Sequence, residues 1–101
     1  MELRWEVQAF AELMEYKLRL NEHKGGWRKD GTEALMKRLR EETDELGDIT
    51  EMSGAWCSSP PFAALDVVTR NKVAWEAADV ANFAMMIADV CGGLPPKART
   101  P

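Results

Sequence analysis

The chain has 101 residues, 46% of them hydrophobic, with 13 basic and 17 acidic side chains that leave a net charge of −4. That length holds one domain with ample apolar mass for a core, and a pI near 5.0 argues against a general nucleic-acid binder. Cys57 and Cys91 are too few for a disulfide framework, and neither forms a zinc motif with the single histidine, His23.

Helical patterns account for almost the whole sequence. The first helix is expected from about Leu3 to about Glu22, with Val7, Phe10, Met14 and Leu18 inward, and Gly25-Gly26 stopping it. Asp30 followed by Glu33 resembles a helix-starting capping box, and the second helix should run from there to about Met52, breaking near Ser53-Gly54. Ser58-Ser59-Pro60-Pro61 is the strongest internal punctuation. A short helical piece from Phe62 to Val68 could precede a third helix over about Asn71 to Cys91, which Gly92-Gly93 closes. Residues 1–94 therefore read as a single all-α domain and 95–101 as a loose tail. The opening residues lack the apolar segment of a secretory signal, and Val80 to Leu94 is short for a bilayer and contains Asn82 and Asp89. A cytoplasmic protein with no membrane partner is the expectation.

The third helix is apolar around nearly its whole circumference, from Val73 and Ala74 through Phe83 and Met86 to Val90. Such a helix must be buried all round, which three helices of this size cannot achieve alone. A helical bundle completed by homo-oligomerisation, as a homodimer or homotetramer, is the expected architecture.

Two of these helices carry carboxylates where apolar residues belong. Leu35, Leu39, Glu42, Leu46 and Ile49 form one stripe, and Val73, Glu76, Val80, Phe83 and Ile87 form another. Residues three apart are neighbours on a helix, so Glu42 with Glu45 and Glu76 with Asp79 make two pincers. Buried, unpaired carboxylates are costly, and a divalent cation relieves the cost. Mg²⁺, with Mn²⁺ as a substitute, suits an all-oxygen set completed by water and phosphate. A di-iron centre normally needs Glu-x-x-His, and His23 lies outside both motifs. Glu42, Glu45, Glu76 and Asp79 are therefore candidate metal ligands for a phosphate-handling enzyme. Glu41 either supports the ligands from behind, orients the attacking water, or is a surface residue. The bland alternative is that these acidic residues are solvated helix positions.

The first helix adds a basic end. Its inner stripe continues through Lys17, Asn21 and Lys24, becoming polar and basic near Gly25-Gly26-Trp27. Lys17, Lys24, Arg28 and Lys72 are candidate phosphate contacts, unless the lysines snorkel to water. Trp27 is either a stacking surface for a base or a core residue.

The motifs Glu41-Glu42-Thr43-Asp44-Glu45 and Glu76-Ala77-Ala78-Asp79, in this order on helices, resemble those of the MazG-like, all-α nucleoside triphosphate pyrophosphohydrolases. Leu39-Arg40-Glu41-Glu42 and Asp79-Val80-Ala81-Asn82-Phe83 extend the likeness, and Lys24-Gly25-Gly26-Trp27 resembles small phage or mobile-element members. The resemblance spans about Phe10 to Cys91. It implies Mg²⁺-dependent hydrolysis of a nucleoside triphosphate to monophosphate and pyrophosphate, in a dimer or tetramer. It also implies Glu42, Glu45, Glu76 and Asp79 as ligands and Asn82 facing the nucleotide. For in-line attack by a metal-associated water, Glu41 or Glu45 is the expected group to orient that water. Leu46 to Lys72 departs from that pattern in its length. A non-catalytic nucleotide or metal sensor and a purely structural dimerisation module are the rival readings.

Overall fold

In a computed structural model of the chain, described for residues 1–52 and 66–95, three α-helices and one 3₁₀ turn make up the fold. The helices are α1 (Trp5–Leu20), α2 (Thr32–Met52) and α3 (Val67–Val90). Among the described residues there is no strand, and no helix is long and apolar enough to cross a membrane. The expected break at Ser53-Gly54, the Pro60-Pro61 punctuation, residues 62–65 of the expected short helical piece, and residues 96–101 of the tail lie outside the described residues.

The first helix ends sooner than its apolar pattern suggests. Its regular hydrogen bonding stops at Leu20, and Glu22–Lys24 tightens into the 3₁₀ turn. Gly25 then reverses the chain at φ 86°, a conformation that costs an L side chain energy. The Asp30–Glu33 capping box does not form. A turn closed by Asp30 N–H donating to the Trp27 carbonyl takes up Asp30, and Gly31 supplies the carbonyl that receives the first α2 bond from Leu35. Glu33 still lies in the first turn of α2, where its charge complements the helix dipole.

The third helix begins four residues before the expected Asn71. Asp66 caps it, accepting from the Thr69 amide at 2.7 Å and from the Thr69 hydroxyl at 3.1 Å. At the other end Gly92 sits at φ 75°, Gly92 N–H donates to the Asp89 carbonyl and Gly93 N–H to the Ala88 carbonyl. This is the paired closure that a left-handed glycine makes possible.

α3 packs against both other helices, more extensively against α2, while α1 and α2 stay apart. The facing stripes of α2 and α3 meet as their spacing requires: Leu35 and Glu42 are buried, and Leu39, Leu46, Ile49, Val73, Glu76, Val80, Phe83 and Ile87 are half-buried. The hydrophobic core is thin, because Leu35 and Ala78 are the only fully buried hydrophobic side chains described. On α1 the sole buried residue is Lys17, and Val7, expected to point inward, is exposed.

Candidate metal centre and cleft

The α2–α3 seam brings Glu42, Glu45 and Glu76 together, each offering a carboxylate oxygen within 4.8 Å of the others. The helical period produces this. Glu42 and Glu45 project from adjacent turns of α2, and Glu76 meets them from the apolar stripe of α3. One oxygen of Glu42 accepts from Arg38 at 3.3 Å. The other Glu42 oxygen, Oε2, and Oε2 of Glu76 are buried with no hydrogen-bond partner.

Electrostatics follow from that crowding. Burial, then the closely approaching Glu45 carboxyl, then the charges of Asp79 and Glu45 push the Glu42 carboxyl up from 4.5 to about 7, against the opposing pull of Arg38. Burial and the charges of Asp79 and Glu45 likewise raise Glu76, with Lys17 and Lys72 opposing. Two orphaned carboxylate oxygens in an electronegative cluster fit a hard cation that takes oxygen ligands. Among the described residues, Glu42, Glu45 and Glu76 are thus the group able to hold a metal ion.

Asp79 stands beside this group and outside it. Its Oδ1 lies 2.6 Å from Lys17 Nζ, a cross-helix ion pair between α1 and α3. Glu41 points away from the cluster to solvent, where its carboxylate lies 3.7 Å from Arg38.

Next to the seam a cleft of about 1040 Å³ opens between α1 and α2, with α3 contributing Trp75, Asp79, Asn82 and Phe83. Lys17, Asn21, Lys24 and Trp27 line it along with Glu42, so the basic end of α1 and the acidic seam share one cavity. Asn82 is buried, and its amide N–H donates to the Met14 carbonyl at 3.1 Å. Asn21 donates to the Lys17 carbonyl at 3.0 Å. The indole N–H of Trp27 donates to Asp89 at 3.0 Å, which fixes the ring on the cleft wall.

Arg28 and Lys72 are not on the cleft lining. Arg28 pairs with the same Asp89 oxygen at 3.0 Å, and Lys72 is an exposed residue one helical turn from Glu76. Three participants escaped sequence reasoning. Arg38 holds Glu42 and lies over the Phe83 ring at 5.3 Å, and its signal was the four-residue spacing to Glu42. Asp89 anchors Trp27, and its signal was a lone carboxylate in the last turn of an apolar helix. Trp75 lies on the cleft beneath the Lys17 ammonium, which stands 4.3 Å from its ring centre.

The described residues therefore form an all-helical fold with a glutamate cluster set across two helices, beside a cleft lined by basic, acidic and aromatic side chains. No protein-family model, curated protein or solved structure matches it.

Proposed function

We propose that the chain is a Mg²⁺-dependent pyrophosphohydrolase of MazG-like type, cleaving a ribo- or deoxynucleoside triphosphate to its monophosphate and pyrophosphate. The carrying observation is the meeting of Glu42, Glu45 and Glu76 within 4.8 Å, two of them with orphaned oxygens, with Glu42 also lining the cleft that Lys17 and Lys24 share. The sequence likeness supplies the reaction, and the seam and cleft support it by placing anionic and cationic groups side by side.

In this reading Glu42, Glu45 and Glu76 hold the ion, with Asp79 adjoining. Bound, Mg²⁺ supplies a Lewis acid for phosphate oxygens and a more acidic water. The chain's own groups do the rest. Lys17 and Lys24 counter the charge that builds on departing phosphate oxygens. Glu45, the most exposed of the three clustered glutamates, receives the proton of the attacking water, while Glu41 remains an outer residue joined through Arg38. Trp27 presents a ring face to the base, and Asn82 supports the wall behind it. The working unit is a homodimer or homotetramer, because a single chain leaves α3 half-covered.

Pyrophosphate release from a panel of ribo- and deoxynucleoside triphosphates, with Mg²⁺ and with chelator, tests the proposal. Metal-dependent release with matching monophosphate supports it. Silence across the panel, with Mg²⁺ still raising the melting temperature, identifies a sensor instead. Silence without any metal effect identifies a structural module.

A further inference from the structure

Lys17 is an unusual lysine. Its side chain is only 5% exposed, although ammonium groups normally reach water from a flexible stem. Three contacts compensate its desolvation, all within one turn of α3: Asp79 Oδ1 at 2.6 Å, the Trp75 carbonyl at 2.8 Å, and the Trp75 ring at 4.3 Å. The same carboxylate that neutralises it stands three residues from Glu76, near enough for its charge to raise both Glu42 and Glu76. Asp79 thus belongs electrostatically to the glutamate cluster while its oxygen is committed to an ammonium.

We propose that Lys17 holds Asp79 in reserve: its ammonium occupies the carboxylate in the ion-free chain, and a divalent cation arriving at Glu42, Glu45 and Glu76 takes Asp79 from it. The inference rests on the metal-centre reading above and gives Lys17 an earlier role, positioning Asp79 before the ion arrives. A doubly charged, oxygen-seeking ion competes well for a fourth carboxylate, and the released ammonium has somewhere to go. Lys17 lines the cleft, where a mobile point charge is suited to a phosphate. The exchange makes Lys17 available to an anionic ligand only after the ion is in place. It also lowers the chain's affinity for the bare ion, since the Lys17–Asp79 pair must first be broken.

A double-mutant cycle on Mn²⁺ affinity, measured by calorimetric titration of the ion-free chain, separates this from a plain charge effect. Lys17→Met should tighten binding roughly tenfold, the scale at which partners of ligating groups act. In an Asp79→Asn background the same change should gain much less, keeping only what the Lys17 charge exerts on Glu76 directly. An equal gain in both backgrounds means that Lys17 is only a nearby positive charge, and overturns the proposal. Absence of Mn²⁺ binding by the wild type overturns the metal centre itself, which is a separate failure. Should Lys17→Met not fold, the wild type provides a second test. The Trp75 ring current marks the Lys17 side-chain protons, and Mg²⁺ saturation should return their NMR shifts to those of an ordinary lysine. Shifts unmoved at saturation mean that the pair persists, and the proposal fails.

Discussion

Glu42 is 7% exposed and carries a carboxyl that titrates near 7 instead of 4.5, so the fold holds it best when it is protonated. The sign follows from linkage. A carboxyl whose folded pKa lies above its unfolded one stabilises fully below the unfolded value, and that contribution disappears as pH rises through the folded value. The raised Glu76 acts in the same direction. The ion-free chain should therefore lose thermal stability between about pH 5 and about pH 8, as melts across that range will show. Glu42→Gln keeps the shape and removes the charge. It should raise ion-free stability at the upper end by roughly 1–3 kcal/mol, the scale of one unsatisfied buried group. A destabilised Glu42→Gln at high pH would mean that the carboxylate is well paired there. Mg²⁺ should invert the profile, because its ligands must be deprotonated. Its stabilisation should grow with pH, reach about 2.7 kcal/mol at a hundredfold excess over Kd, and vanish on adding chelator. Identical melts with Mg²⁺ and with chelator at every pH would leave the orphaned oxygens as a purely structural cost.

At the scale of the element, the ends of α3 decide where its carboxylates sit. The Thr69 amide, and after it the Thr69 hydroxyl, hold the Asp66 carboxyl below the usual carboxylate range. A depressed carboxyl contributes stability above its unfolded pKa and loses it as pH falls through the folded one. Asp66→Ala should lower the melting temperature by a few degrees at neutral pH, and the gap should close in acid. A gap that persists unchanged in acid would show that the cap acts through something other than its charge. Gly92→Ala places a side chain at φ 75° and should cost roughly 1–2 kcal/mol in denaturant unfolding. The middles of α2 and α3 were legible in the sequence, since three-and-four spacing alone puts Leu35, Glu42 and Glu76 on facing stripes. The ends were less so. Val67, Val68 and Thr69 are β-branched and weak as helix formers, which hid a start that the Asp66 side chain makes good. Asp30–Glu33 had the right spacing for a cap, but the turn at Trp27–Asp30 claimed Asp30 first. Lys17 and Asp79 are far apart in sequence, and no local period reports a pairing made by helix packing. Arg38 with Glu42 was visible in principle, being four residues apart on one face.

For the whole molecule the arithmetic of burial is the issue. A helix as apolar as α3 leaves Val73, Val80, Phe83, Met85, Met86 and Ile87 only half-buried, and the described core has just two fully buried hydrophobic side chains. On the far helix Val7, Phe10, Ala11 and Met14 form an apolar groove. Exposed apolar area of this kind favours association, and a second copy presents the same surface. We therefore expect sedimentation to give a mass at least twice the 11.4 kDa of one chain, and the melting temperature to rise with chain concentration. Phe10→Glu puts a charge in the groove and should shift the mass toward the monomer. Phe10 lies seven residues from Lys17, about two turns along α1, so the consequence reaches the cleft. If association is what seats α1, dilution or Phe10→Glu should loosen Lys17 from Trp75 and weaken nucleotide binding along with self-association. A wild type that sediments as one chain, with a melting temperature indifferent to concentration, would show that three helices hold this site without help.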